Sequence, residues 1–256
     1  MRAGAERFGG TRVIRVERIE YDRLAAVEER GWWFQGLHQN LIAAWRRAAA
    51  PGVTLLDAGC GTGGFLARLR RAVPQARCVG IELDARAASM ARAKSGAAVA
   101  IASIAALPFA PGSFDAVFSA DVLCHRGVEP APALASIRAC LKPGGVIVLN
   151  LPAYRWLFSG HDRAVDNVRR FGGRELRALL REGGYARIRI GYWNSLLFPL
   201  MVAQRLLHSG GASDVAFLPA PLEALFRAAV ALEAWLGAHG LRFPFGGSIL
   251  ATAVRP

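Results

Sequence analysis

Leu55-Leu56-Asp57-Ala58-Gly59-Cys60-Gly61-Thr62-Gly63-Gly64 is the stretch that decides the fold. An apolar, strand-like run from Thr54 enters a glycine-rich turn, and Phe65 to Ala72 then has helical spacing. Glycines permit a tight turn and a close backbone approach to a ligand. The helix N-terminus behind them offers unpaired N–H groups and a partial positive charge. Glu82 closes the next strand-like run, where a carboxylate can bind two ribose hydroxyls. Taken alone, the stretch is ambiguous. Gly59, Gly61 and Gly64 also fit the dinucleotide pattern G-x-G-x-x-G, with Glu82 near the usual spacing of about 20 residues.

Working outward, the pattern repeats. Arg77–Leu83, Ala97–Ser103, Phe114–Asp121 and Gly145–Leu151 are strand-like, and Ala85–Ala93 and about Ala131–Leu141 are helical. Gly173–Glu182 has helical spacing with Gly183 as a stop, followed by strands at Arg187–Trp193 and Ser248–Val254. Alternating strands and helices predict a doubly wound, mainly parallel seven-stranded α/β sheet with helices on both faces. Some fifty apolar residues interrupt its last hairpin. The expected division is residues 1–53 as tail and aromatic cap helix, 54–194 as Rossmann-like core, 195–246 as helical lid, and 247–256 as the final core strand. The cap helix is expected from about Leu37 to Ala50, ended by Pro51-Gly52.

With these pieces in order, the chain resembles the class I S-adenosylmethionine-dependent methyltransferases. LLDAGCGTGGFL is similar to their first motif and GIELD (80–84) to their second. Leu107-Pro108-Phe109, Phe114-Asp115-Ala116-Val117 and Leu141-Lys142-Pro143-Gly144-Gly145 follow in the family order. The resemblance covers residues 54–152 and implies S-adenosylmethionine as cofactor; no metal is expected, because the cysteines form no C-x-x-C pair. It implies that Asp57 and the loop Gly59, Cys60, Gly61 and Gly63 hold the methionine part, and Glu82 the ribose. Leu83, Ser103, Ile104 and Asp121 complete the expected cofactor site. Ser103 stands where the family has an acid against the adenine, and a hydroxyl binds an amine more weakly than a carboxylate does. WWFQGLHQNL (32–41), DVLCH (121–125), NLPAYRWLFSGHDRAVDNVRRF (150–171), YWNSLLFPLM (192–201) and PFGGSIL (244–250) are similar to a subgroup of small bacterial methyltransferases that accompany glycan- and lipid-assembly enzymes. That subgroup usually has Glu where Cys124 stands.

Methyl transfer is an in-line displacement in which charge is lost, so alignment and dryness dominate, with a base needed for some acceptors. His125 and His161 follow strands at the carboxyl edge of the sheet and are the candidate catalytic groups; a loop-bonding role is the rival for His125. Asn167, Arg169 and Arg170 form a basic cluster suited to an anionic group, or else a solvated charged face. Trp33, Phe34, His38, Tyr154, Tyr192 and Asn194 are the other candidate acceptor residues. Pro199 is expected to break the first insertion helix. A second helix over Leu222–Ala238 is expected to bury Leu222, Leu225, Phe226, Ala229, Leu232 and Leu236, leaving Glu223 and Arg227 as an exposed pair. Neither run reaches the ~20 residues that cross a bilayer. The insertion is therefore a packed cap, or a greasy lid and membrane-touching surface for a lipid-like acceptor.

The net charge of +13 rests almost wholly on Arg, with Lys94 and Lys142 the only lysines. This reads equally as compositional bias or as attraction to an anionic partner. The charge makes a nucleic-acid methyltransferase one rival function, and Asn150-Leu151-Pro152-Ala153-Tyr154 is similar to the N-P-P-Y motif of amine methylators. That motif belongs after the fourth strand and needs two prolines, whereas here it follows the fifth and lacks the second, so a nucleic-acid partner is not the expected one. A protein that binds the cofactor without methylating is the other rival. Cys60, Cys78, Cys124 and Cys140 form no C-x-x-C pair, and scattered thiols suggest a reducing cytosol, with peripheral membrane contact as the extension of the lid reading. The first sixteen residues read as a loose tail without a signal peptide.

Overall fold

The computed structural model describes residues 6–8, 11–13, 26–48, 53–207, 218–239, 241 and 243–256. In the expected loose tail, β1 (Glu6–Phe8) and β2 (Thr11–Val13) pair antiparallel. The rest of that tail and the Pro51-Gly52 stop lie outside the described residues.

Helix α1 (Trp32–Ala48) begins five residues before the expected Leu37, so the aromatic triplet forms its first turn. The alternation that follows is β3 (Thr54–Ala58), α2 (Gly64–Ala72), β4 (Arg77–Glu82), α3 (Ala85–Ser95), β5 (Ala98–Ile101) and β6 (Phe114–Ala120). Then come α4 (Pro130–Cys140), β7 (Leu141–Pro152), the short α5 (Gly160–Ala164), α6 (Gly173–Glu182) and β8 (Ala186–Trp193). The insertion holds α7 (Phe198–Leu207) and α8 (Ala220–Ala238), and β9 (Ser248–Val254) closes the sheet. Local chemistry sets several of these bounds. Asp84 caps α3 by accepting from the Arg86 and Ala87 amides, and Gly96 ends it in the left-handed region. Pro130 opens α4, where its missing N–H is harmless.

The seven-stranded sheet runs β5-β4-β3-β6-β7-β9-β8. It is mixed: β3 to β7 pair in parallel, whereas β9 runs antiparallel to both of its neighbours, β7 and β8. A hairpin return from β8 can only insert its last strand reversed, so the expected, mainly parallel sheet is mixed at its β9 end. α1, α2 and α3 cover one face over Leu55, Phe65, Leu66, Phe118 and Val148; α4 and α6 cover the other over Val117, Leu134, Ile147 and Leu176. The parallel order reverses between β3 and β6, so their carboxyl ends open the crevice where such sheets bind ligands.

Two expectations about the insertion fail. Pro199 sits in the first turn of α7 and does not break it, because no helical N–H is required there. The buried stripe of α8 is shifted round from the expected face. Phe226, Ala229 and Leu236 are half-buried, with Phe226 packed on Trp32, but Glu223, Val230 and Glu233 are the buried residues, while Leu222, Leu225, Leu232 and Trp235 are exposed. Glu223 does pair with Arg227, at 3.7 Å, but its own carboxylate is buried and also accepts the Trp32 amide at 2.5 Å, so the pair is not an exposed one.

Candidate cofactor site and its neighbouring edge

The glycine loop is a backbone device. Gly59, Gly61 and Gly63 all have positive φ, at 90°, 52° and 92°, a region other residues enter only under strain. A Cβ on Gly63 would lie 2.6 Å from the Ala91 backbone, so α3 passes too close for any side chain there. The Cys60 thiol turns inward against Gly80, leaving only the Cys60 main chain on the loop. Glu82 pins the turn: its Oε2 accepts the Gly61 amide at 2.9 Å, and its Oε1 accepts the Leu83 and Asp84 amides at 2.8 and 3.0 Å. Burial raises the Glu82 pKa, and those three amides oppose the rise.

Asp57 lies near the end of β3, beneath this loop. Burial first, then the charges of Glu82 and Glu28, push its pKa up to about 8. Its Oδ2 is buried without a hydrogen-bond partner in the protein. Asp121 follows β6 at φ 55° and is held by the Asn150 side-chain amide at 3.1 and 3.0 Å. Burial raises its pKa to about 7 against the Asn150 hydrogen bond and the attraction of Arg170. Asn150 in turn accepts the Trp193 indole N–H at 2.7 Å, so a buried relay joins the Asp121 carboxylate to the far strands. Ser103 spends its hydroxyl on the Ala105 amide at 3.2 Å; Ile104 is buried and Leu83 exposed.

Sequence reasoning gives Glu28 no role. It reaches over the loop from ahead of α1, accepting from the Thr62 hydroxyl at 2.5 Å and pairing with Lys94 of α3. Its Cδ lies 2.6 Å from where a Gly64 Cβ would stand, so the glycine makes room for a carboxylate. The signal is the pair of acids before the tryptophans, and the partners of Glu28 lie 34 and 66 residues away.

The candidate acceptor residues do not form one group. His38 is buried between the Phe34 and Phe65 rings, and burial, with Arg68 and Arg71, lowers its pKa to about 3. It packs into the interface of α1 and α2. Trp33 packs on Phe34 and on Trp193, tying α1 to β8. The Arg169–Arg170 cluster splits, because neighbours on an extended segment point apart. Arg170 is buried and donates to Asp162 at 2.8 Å and to the Ala153 carbonyl at 3.0 Å, while Arg169 turns outward to Glu129 at 3.4 Å. Asn167 accepts from the Cys124 thiol at 3.1 Å. His125 bridges to Asn167 through its main chain. Burial lowers its pKa, opposed by Asp166 and by hydrogen bonds to backbone of Asp166 and Val165. Those bonds occupy the ring in holding its loop. His161 lies in the first turn of α5, beside the buried Asp162.

Beyond β7 and β8 the sheet edge is aromatic. Tyr154 and Tyr192 stack with ring centres 5.6 Å apart and planes 4° apart, and Phe198 and Phe245 of the insertion extend the group. Tyr154 and Asn194 follow their strands at φ 60° and 58°, so with Asp121 the carboxyl edge carries three left-handed non-glycine residues. Such conformations cost about 1–3 kcal/mol each and concentrate at functional sites. Asn194 Oδ1 is buried without a hydrogen-bond partner in the protein.

Residues 56–149 match the family model described as a methyltransferase domain. A ubiquinone biosynthesis O-methyltransferase of Pseudomonas paraeruginosa is 36% identical over 153 residues, covering 53% of this chain and 63% of that one. An uncharacterized 37.1 kDa protein in a transposon of Streptomyces fradiae is 33% identical over 155 residues, covering 54% and 45%. The chain spans about half the length of the curated relatives it matches. Among solved structures, geranyl diphosphate C-methyltransferase from Streptomyces coelicolor, bound to Mg2+, geranyl diphosphate and S-adenosyl-L-homocysteine, superposes with a TM-score of 0.57 at 18% identity, covering 87% and 77%. The [4+2]-cyclase SpnF superposes at 0.60 with 22% identity, covering 93% and 94%. The chain therefore has the methyltransferase fold, a fold that also serves a cyclase.

Proposed function

We propose that the chain is an S-adenosylmethionine-dependent methyltransferase acting on a small, apolar acceptor of lipid-linked, isoprenoid or glycan type. The observation that carries this reading is the buried Asp57, whose unpartnered carboxylate oxygen lies under a left-handed glycine loop pinned by Glu82. A buried acid without a partner is costly unless a ligand supplies the donor or positive charge. Glu82, Asp57 and Asp121 suit a ligand with ribose hydroxyls and cationic ammonium and sulfonium groups. When bound, that ligand supplies an electrophilic methyl group. The residues bind, orient and exclude water. Glu82 takes the ribose, Asp57 and the loop take the methionine part, and the buried Asp121–Asn150–Trp193 relay fixes the acceptor-side wall.

The apolar acceptor is supported by the aromatic edge at Tyr154, Tyr192, Phe198 and Phe245, where the insertion meets the sheet. The relatives named for ubiquinone biosynthesis and geranyl diphosphate methylation are compatible with it. A cytoplasmic site of action at a membrane face is part of the same proposal. A second reading keeps cofactor binding without methylation, favoured by the cyclase of the same fold.

Calorimetry with S-adenosylmethionine tests the site. Gly61→Val places a branched side chain at φ 52°, and is expected to weaken binding by about 100-fold or more. Unchanged affinity refutes the site. Incubation of the full chain with labelled cofactor and lipid extract, followed by mass analysis, tests the reaction. Tight binding with no labelled product favours the non-methylating reading.

A further inference from the structure

The two carboxylates of α8 face the protein. Glu223 accepts the Trp32 amide at 2.5 Å, and Glu233 accepts the Ser195 and Leu196 amides at 2.7 and 3.2 Å. The outward side carries Leu225, Leu232 and Trp235, which are 61%, 50% and 56% exposed, with Leu222 beside them. Ordinary surface helices have the reverse arrangement, with acids outside and leucines inside. The inversion extends through the insertion: eight of the twelve large apolar side chains exposed among the described residues belong to residues 196–245. A row of exposed apolar side chains along one helix face, as at Leu225, Leu232 and Trp235, marks a contact with something other than water.

We propose that the outward face of α8 docks on an anionic phospholipid bilayer. Charge selects this occupant. With both acids turned inward, the one charged residue of α8 left at the surface is Arg227, which is half-exposed, pairs with Glu223 at 3.7 Å and donates to the Arg30 carbonyl at 3.5 Å. The chain carries a net charge of +13, which an anionic surface attracts and a second copy of the chain repels. Trp235, near the helix C-terminus, has the amphipathic ring that settles at the headgroup level. Among the described residues no helix is long and apolar enough to cross a membrane, so α8 lies along the surface. Glu233 ties α8 to the residues immediately after β8 and Glu223 ties it to the start of α1, so docking orients the carboxyl edge of the sheet relative to the lipid. The inference rests on the membrane-face part of the proposed function and names the surface that makes the contact. Its failure is distinguishable from failure of the acceptor reading, since vesicle binding requires neither cofactor nor acceptor.

The test is co-sedimentation of the full chain with vesicles of phosphatidylcholine and phosphatidylglycerol, and with vesicles of phosphatidylcholine alone. The parent is expected to bind the anionic vesicles more strongly. The triple variant Leu225→Ser, Leu232→Ser, Trp235→Ser is expected to lose about tenfold or more of that partition while keeping the parent melting temperature. If the triple variant fails to fold, Leu225→Ser alone carries the test, with a loss of about threefold expected. Absence of parent binding to anionic vesicles overturns the proposal. So does binding unchanged in the folded variant, or a parent dimer in solution that the variant converts to monomer.

Discussion

The carboxyl edge of the sheet is built in two different ways. On the β3–β4 side the backbone does the shaping: three left-handed glycines and the main-chain amides of Gly61, Leu83 and Asp84 gathered on Glu82. On the β7–β8 side, buried acids from remote segments do it. Asp162 holds Arg170 and Arg205, Glu223 holds the start of α1, and Glu233 holds the turn after β8. A loop of glycines is rigid through what it lacks and leaves room for a ligand. A frame of buried carboxylates is rigid through what it pairs, and can be re-sited as the inserted segment changes. One edge is suited to a constant ligand and the other to a variable one.

The largest effect should come from breaking the paired frame. Asp162 is fully buried, accepting from Arg170 Nε at 2.8 Å, Arg205 Nη1 at 3.0 Å and the Ser159 amide at 2.9 Å. Burial alone would raise its pKa, but Arg170, the Ser159 amide and Arg205 together bring it below the ordinary value. Asp162→Ala leaves Arg170 charged and unpaired in the interior, a change that costs about 3–5 kcal/mol. Chemical denaturation of the variant should show that loss, and Asp162→Leu with Arg170→Met should recover much of it. A drop below about 1 kcal/mol would mean that the frame is not what holds this side.

The difference between the edges also decides what the sequence can disclose. The loop is legible because its chemistry is local: strand, glycines, helix and next strand follow one another directly, and Glu82 lies 21 residues from the Gly61 amide it accepts. The far edge is not legible in this way. Arg169 and Arg170 look like one cluster in a line of text, yet extended backbone sends them to opposite sides. Glu223 and Glu233 read as surface charge on an amphipathic helix, because nothing near them announces that their partners are amides 191 and 38 residues away. The shifted face of α8 follows directly. Pro199 reads as a breaker as long as the start of α7 is unknown, and is harmless once that start is placed at Phe198.

A pH titration sharpens the contrast from the loop side. The Asp57 pKa is raised from 3.8 to about 8, so in the empty protein ionising it is unfavourable. The unfolded chain loses that proton near 3.8, so the stabilising contribution of the neutral acid is full below that pH and is lost as pH rises through about 8. A cationic ligand favours the ionised acid. Binding S-adenosylmethionine should therefore release a proton below pH 8, and affinity should rise by up to about tenfold per pH unit until it levels near 8. Calorimetry in buffers of different ionisation enthalpy measures the proton count. No proton release at about pH 6.5, well below the raised Asp57 value, would remove Asp57 as the coupled group, whereas the Asp162 frame predicts no such coupling.

The smallest expected effect lies where the two ways of building meet. Glu28 is a buried acid of the second kind placed on the loop of the first kind, joined to Thr62 and Lys94. Its charge is one of the causes that raise the Asp57 pKa. Glu28→Gln keeps an oxygen for the Thr62 hydroxyl and removes the charge. Two consequences follow with opposite signs. The Asp57 proton is released more easily, so the pH at which affinity levels moves down, by about half a unit to one unit. The site also loses one negative charge facing a cationic ligand, so affinity on the high-pH plateau falls by a few-fold, about 0.5–1 kcal/mol for a partly screened charge. A purely structural latch predicts neither: it predicts a lower melting temperature and an unmoved pH profile. Measuring affinity across pH for the parent and Glu28→Gln separates the two, and an unshifted profile would return Glu28 to the frame-building acids of the far edge.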